Sequence, residues 1–440
     1  MWLLPHLSAL STAAVRLYYR ASRGGEDVPG AGPVLLVANH PNSLLDPALV
    51  AWAAQRPVRF LAKAPLFTHP IVGWLIRGSG SLPVYRHQDD ATQMSRNEDT
   101  FRAVFDALAG GSAVALFPEG ISHSEPGLTP IKTGAARIAL GAAPRVGHAF
   151  PIMPVGLVFR EKDVFRSDAH AVVGAPIPWD DLAKRSVDDR DVVRELTDRI
   201  ERAIRTVTLN LARWEDKTVV RTAEAVWSAT RGADRSPVAH VSRLTITTDA
   251  LANLRAQGDV RWDALAHDVR EHARLLAVLR IDPSDVERDR TLPAAGRWAF
   301  RRLTLVGGVQ LALAALTIVL FWIPYQGTGV LARALEKTRA GISTYRVIGG
   351  ALVFGVWIVA LAVTAGFGAG WPAGVASLVA LPVIAVAGLY ALEHWRRTIG
   401  TARRWMTLRR RDPRIGTIRE RQRELADRLD AALAALHPES

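Results

Sequence analysis

Short apolar runs alternate with helical patterns over residues 34–175 of this chain. Residues 34–38, 58–62, 82–85, 113–117, 152–159 and 171–173 are short, mostly apolar stretches, charged only at Arg59. Unbroken apolar runs predict strands buried on both faces, as in a parallel sheet. Between them, 45–54, 66–77, 100–109 and 134–142 carry apolar positions at helical spacing. The alternation predicts an α/β domain: a mixed, largely parallel sheet flanked by helices. Residues 187–231 then read as one long helical pattern, with Val193, Leu196, Ile200, Ile204, Val207 and Leu211 three or four apart. Residues 232–240 read as a linker, and 241–300 as charged and helical.

Beyond residue 300 the pattern changes. Segments 303–323, 347–367 and 371–392 are almost free of charge, and each has about the 20 residues a helix needs to cross a hydrocarbon core. The predicted organisation is an interfacial N-terminal helix (1–24), an α/β domain (25–185), a helical region with linker (186–300), membrane-embedded segments (301–395) and a basic helical tail (396–440). The first 19 residues are apolar but interrupted by His6 and Arg16. They read as an interfacial helix with Trp2, Leu3, Leu7, Leu10 and Tyr18 facing lipid, rather than as a signal peptide.

Charge decides the kind of surface expected. The 440 residues carry 55 Lys and Arg against 42 Asp and Glu, a formal net charge of +13. Such basicity suits nucleic acid or an anionic membrane. The apolar segments favour the membrane, and no zinc-finger spacing or aromatic-interleaved basic stripe supports nucleic acid. The chain has no cysteine, which removes thiol nucleophiles and thiolate metal sites and fits a reducing compartment. Richness in Ala, Arg and Gly points to a GC-rich bacterial genome. Arg301 and Arg302, then Arg333, Lys337, Arg339 and Arg346, then the Arg-rich stretch from Arg396 flank the apolar segments, whereas Gly368-Ala369-Gly370 is uncharged. The positive-inside rule puts the basic flanks on the cytoplasmic face. The second and third segments then form a hairpin, and the first, ending Trp322-Ile323-Pro324, is re-entrant or interfacial.

The chemistry concentrates after the first predicted strand, in Asn39-His40-Pro41-Asn42-Ser43-Leu44-Leu45-Asp46. An imidazole at the carboxyl edge of a sheet, with a carboxylate close behind, supplies a base and its orienter but no side-chain nucleophile. Ser43 reads as a helix cap rather than a nucleophile. Three further blocks follow: Lys63 to Phe67 leading to Gly80-Ser81-Leu82-Pro83-Val84-Tyr85-Arg86; Phe117-Pro118-Glu119-Gly120-Ile121-Ser122-His123 with Lys132 beyond; and Pro151-Ile152-Met153-Pro154-Val155. Glu119 divides evenly between capping a turn and shaping an acceptor site. His123 beside Glu125 lacks a second His at ligand spacing, so no metal site is expected.

These four blocks, in this order over residues 30–180, resemble the glycerophospholipid acyltransferase superfamily, which includes glycerol-3-phosphate and lysophosphatidate acyltransferases. The resemblance implies His40 as general base with Asp46 as its partner. It implies Arg86 as the ligand of the acceptor's phosphate, Glu119 and Gly120 as the block shaping the acceptor site, and Lys63 and Lys132 as basic positions near phosphate. It also implies an acyl-CoA or acyl-carrier-protein thioester as co-substrate, no resident cofactor and a phosphorylated glycerol acceptor; with the composition and the basic flanks, the expected location is a bacterial cytoplasmic membrane with the catalytic domain on its cytoplasmic side. Two departures stand out. Five residues separate His40 from Asp46 where the family usually has four, a feature of its fungal-type glycerol-3-phosphate branch. Ile121-Ser122 replaces the usual Thr-Arg.

The residues support the same chemistry unaided. Histidine is a base at neutral pH, a thioester already carries an activated acyl group, and an alcohol can attack it without an enzyme nucleophile. No Gly-x-Ser-x-Gly elbow is present, and an Arg can grip a phosphate with two parallel bonds. A hydrolase or transacylase on the same scaffold and a non-catalytic membrane adaptor remain the alternative classes.

Overall fold

The computed structural model describes residues 3–68, 70–85, 97–234, 236–256, 260–287, 296, 300, 304–335, 342–409 and 414–436. Contacts divide the chain into two units. The first holds residues 1–214, 235–248 and 338–344; the second holds 215–234, 249–337 and 345–440.

The first unit is built on β1 (Arg20–Gly25), β2 (Val34–Ala38), β3 (Val58–Lys63), β4 (Leu82–Val84), β5 (Ala113–Leu116), β6 (Ile152–Phe159) and β7 (Asp168–Val173). They form one seven-stranded sheet in the order β1-β7-β6-β2-β5-β3-β4. All neighbours are parallel except β6 and β7, so the predicted mixed, largely parallel sheet is found. The central strands β2 and β5 are buried at every position, which is why they read as unbroken apolar runs. The helices are α1 (Leu4–Tyr18), α2 (Leu45–Ala54), α3 (Pro65–Thr68), α4 (Pro70–Gly78), α5 (Asn97–Ala109), α6 (Gly134–Val146) and α7 (Arg190–Val207). Leu35, Val37, Val114 and Leu116 of the sheet form one core with Val104 and Leu108 of α5, Ile138 and Leu140 of α6, and Leu196, Ile200 and Ile204 of α7. On α2, Leu49 and Val50 are buried, and the helix packs against β3, β6 and β7. Strand β6 runs so close to the end of α7 that a Cβ on Gly156 would lie 1.7 Å from the carbonyl oxygen of Val207.

Three local expectations differ from the structure. The helical pattern over 187–231 is two helices, α7 and α8 (Asp216–Arg231). The break begins at Thr208, whose backbone is extended. Its hydroxyl caps the carbonyl of Ile204, Asn210 Nδ2 takes that of Arg205, and Leu211 N bonds to Pro126 O. Strand β1 was not expected, because Arg20-Ala-Ser-Arg-Gly-Gly has no apolar pattern. It is an edge strand held by backbone pairing to β7. Finally, α1 turns much of its apolar surface inward. Leu3 is buried against Gly78, and Tyr18 packs edge-on to Tyr19 and Phe165. Leu10 and Leu17 stay exposed. Trp2 lies outside the described residues, and the side chain of Leu7 is not described.

The second unit contains α8, the last two turns of α9 (Pro237–Ala256), α10 (Val260–Leu279) and α11 (Pro283–Val286), followed by α12 (Leu305–Leu335), most of α13 (Ile342–Ala369), α14 (Trp371–Arg409) and α15 (Arg414–Leu436). Helices α12 to α14 are each long and apolar enough to cross a membrane. Helix α12 runs unbroken through Pro324, so it makes no re-entrant turn at the Trp322-Ile323-Pro324 end. Thr317 of α12 packs where a Cβ on Gly388 of α14 would fall, and Trp357 of α13 bonds to Leu320 O. Helix α15, after the apolar helices, folds back on the helices before them. Arg231 pairs with Asp430 at 2.6 Å, Arg428 with Asp268 at 2.6 Å, and Gln422 Nε2 donates to Pro283 O at 3.2 Å.

Candidate active site

Because β2, β3, β5 and β6 are parallel, the loops leaving them gather at one carboxyl edge of the sheet. The loop after β2 carries His40. Its Nδ1 meets Asp46 Oδ2 at 2.8 Å, and the same oxygen accepts the Asn42 N–H at 2.6 Å. Asp46 sits in the first turn of α2 and is 0% exposed, whereas the His40 side chain is 19% exposed. A carboxylate on Nδ1 fixes the imidazole with its proton there and leaves Nε2 as the basic nitrogen. The ring stacks on Phe117, with centroids 4.1 Å apart. Burial pushes the Asp46 carboxyl above the usual carboxylate range. The bonds from His40 and Asn42 and the charge of Lys162 pull the other way.

The loop after β5 carries Glu119, and the structure gives its carboxylate a structural task. Oε1 accepts the backbone N–H of His40 at 2.7 Å. Oε2 accepts the Thr129 N–H at 2.9 Å, the Thr129 hydroxyl at 2.7 Å and His123 Nε2. His123 Nδ1 in turn accepts the Glu125 N–H at 3.1 Å, which places the His123 proton on Nε2. Glu119 is 3% exposed. Burial works against its charge, but the bonds from His123 and Thr129 outweigh it and hold the carboxyl below the usual range. Glu119 therefore joins the two loops at the level of the backbone.

Of the other expected site residues, Lys63 ends β3 at this edge and is exposed. Lys132 is also exposed, and its chain lies over Gly120: a Cβ there would be 2.8 Å from Lys132 Nζ, and Gly120 has φ of +74°. Strand β4 ends at Val84, and Arg86 lies outside the described residues. Ser43 is not the helix cap it was expected to be. Its N–H donates to Ser122 Oγ at 2.9 Å, tying the two loops together. Leu44, Ile121 and Trp214 are exposed on these loops or bonded to them, Trp214 through Ser124 O at 3.1 Å.

Four residues had no signal of their own in the sequence. Asn39 spans to β6, bonding Leu157 through both its amide atoms at 3.0 and 2.8 Å. Asn42 donates from Nδ2 to the buried Tyr19 hydroxyl at 2.6 Å, and burial raises that phenol. Lys162 reaches across from the hairpin between β6 and β7. Asn39 and Asn42 flank the histidine in the quoted motif, which was the only clue to them.

The loop thus sets a partly exposed imidazole on a buried carboxylate at the carboxyl edge of the sheet. Residues 20–158 match the protein-family model described as Acyltransferase. Through this segment the chain is similar to members of the glycerophospholipid acyltransferase superfamily. It is similar to glycerol-3-phosphate O-acyltransferase 2 of Saccharomyces cerevisiae, 35% identical over 134 residues, or 30% of this chain and 18% of that protein. It is also similar to a 1-acyl-sn-glycerol-3-phosphate acyltransferase of Streptococcus pneumoniae, 32% identical over 154 residues, or 34% of this chain and 52% of that protein. The match thus spans under a fifth of the yeast relative and about half of the pneumococcal one. A solved 1-acyl-sn-glycerophosphate acyltransferase from Thermotoga maritima is 19% identical, with a TM-score of 0.35, covering 46% of this chain and 78% of that one.

Proposed function

We propose that the chain is an O-acyltransferase of glycerophospholipid synthesis, transferring an acyl group from acyl-CoA or acyl-carrier protein to a hydroxyl of glycerol 3-phosphate or 1-acylglycerol 3-phosphate. The observation that carries this reading is the His40–Asp46 pair, with Nδ1 engaged and Nε2 left to serve as base. His40 takes the proton of the acceptor hydroxyl as its oxygen attacks the thioester carbonyl. Asp46 stabilises the imidazolium that forms. The tetrahedral intermediate collapses, the carbon–sulfur bond breaks, and the proton passes to the departing thiolate. The protein needs no resident cofactor for this sequence. The exposed Leu44, Ile121 and Trp214 suit a substrate that carries an acyl chain. The five-residue His-to-Asp spacing favours glycerol 3-phosphate as acceptor.

Purified protein, labelled acyl-CoA and a panel of acceptors test this reading. Transfer to a phosphorylated glycerol is expected. Arg86→Ala is expected to raise that acceptor's KM, or lower its kcat/KM, more than tenfold, since losing one partner of a charge-assisted pair typically costs about 2–5 kcal/mol. Equal loss with a phosphate-free acceptor would remove the role of Arg86. Release of free fatty acid alone would instead establish a hydrolase.

The three long apolar helices support a membrane-associated chain. We place the domain and the tail together on the cytoplasmic face of a bacterial inner membrane. Two observations support this: the Arg-rich flanks, and the ion pairs that join α15, after the apolar helices, to α8 and α10, before them. Because the chain lacks cysteine, single replacements report cleanly. Lys184→Cys and Glu424→Cys are expected to label from the same face, and Ala369→Cys from the other. Labelling of Lys184→Cys and Glu424→Cys from opposite faces would overturn this placement.

A further inference from the structure

Lys162 lies outside every motif block of the sequence, in the hairpin that joins β6 to β7, yet its ammonium reaches the loop of the catalytic pair. Nζ donates to Pro41 O at 2.8 Å, one residue beyond His40, and to Ser124 Oγ at 2.6 Å in the loop after β5. Its backbone is held as well. The Tyr19 hydroxyl donates to Lys162 O and accepts from Asn42 Nδ2 at 2.6 Å. Asn42 itself donates its N–H to Asp46. One half-buried residue thus meets the His40–Asp46 loop at two points, through its own ammonium at the Pro41 carbonyl and, by way of Tyr19, at the Asn42 side chain. We propose that Lys162 is a positioning residue of the acyl-transfer site, clamping the His40–Asp46 loop to the loop after β5 and presenting a fixed positive charge to the pair.

The charge has a direction. Lys162 acts on the Asp46 carboxyl against the effect of burial. Among the described residues, the other titratable groups around the pair are Tyr19 at the end of α1 and Glu119 and His123 after β5, with Glu161 and Asp163 beside Lys162 in its own hairpin. Glu119 is committed to His123 and Thr129. Removing the Lys162 cation takes away an interaction that favours the ionised Asp46 carboxylate, so the acidic limb of the activity profile is expected to move to higher pH.

The inference rests on the acyltransferase reading, and the test separates the two. Full-length Lys162→Met and Lys162→Arg are compared with wild type by acyl-transfer pH profile. They are also compared by the pH dependence of diethyl pyrocarbonate modification of His40, read by peptide mass spectrometry, which follows the neutral imidazole without needing turnover. Lys162→Met is expected to lower kcat roughly 10–100-fold, the scale of a misplaced catalytic group. Its modification midpoint and acidic limb should both rise, and Lys162→Arg should restore most of each. Unmoved midpoints in Lys162→Met, with activity falling only as far as thermal stability falls, would reduce Lys162 to a structural residue. A midpoint that moves in a protein with no transfer to any acceptor would keep the positioning role and sink the acyltransferase reading.

Discussion

His40→Ala is expected to abolish acyl transfer while leaving the protein folded. The imidazole is partly exposed at a loop, and among the described residues its side chain hydrogen-bonds only Asp46, so its removal deletes the base without opening the core. General-base catalysis contributes about 10²–10⁴ in rate, and the variant should fall by that much with a near-native melting temperature. Asp46→Asn is expected to be nearly as severe. The amide can still accept from the Asn42 N–H and from Nδ1, but it carries no charge to stabilise the imidazolium. Steady-state rates against a single acceptor, with circular dichroism as the fold control, make the measurement. More than about a tenth of wild-type activity in His40→Ala would end its assignment as base.

The second large effect is expected at Glu119, and it should appear in stability as well as rate. Four donors converge on this buried carboxylate: the His40 N–H, the Thr129 N–H and hydroxyl, and His123 Nε2. Glu119→Ala leaves them unpaired in the interior, which typically costs about 3–5 kcal/mol when a buried charged partner is lost. It also frees the His40 backbone from its anchor. Glu119→Gln keeps the shape but offers an NH₂ group to donors, so it should fall between the two. The pH dependence has a definite sign. The folded-state carboxyl is held below its ordinary value, so the stabilisation is complete above the unfolded-state pKa of about 4.3 and is lost as the pH falls through the depressed folded value. The gap in melting temperature between wild type and Glu119→Gln should therefore be widest near neutrality and shrink below about pH 4. A gap independent of pH would show that the carboxylate's charge is not what holds the loops.

The elements legible in the sequence are those whose signal is local. Strands β2, β5 and β6 are buried along nearly their whole length, and burial on both faces requires unbroken apolar runs. The apolar helices α12, α13 and α14 announce themselves by length and absence of charge. The His40–Asp46 pair was readable because both partners lie in one loop and the following helical turn, so their spacing is a property of the chain. The inward face of α7 followed from its three- and four-residue repeat.

What only the tertiary structure decided involves partners far apart in sequence. The polar strand β1 exists through backbone pairing with residues 168–173, and backbone pairing leaves no mark on side-chain composition. The break in the helical pattern at Thr208 depends on Leu211 meeting Pro126. The inward turn of Leu3 and Tyr18 depends on Gly78 and Phe165, which give these apolar residues protein rather than lipid to pack against. Glu119 reads from its motif as either a cap or an acceptor contact, and folding commits it to the backbone of a residue 79 positions away. Lys162 looks like any solvated lysine until the β6–β7 hairpin carries it 121 positions back to Pro41. Local sequence specifies which segments bury themselves and where His40 and Asp46 sit together. The alignment of that pair rests on hydrogen bonds between loops, and these exist only once the sheet has brought its carboxyl edge together.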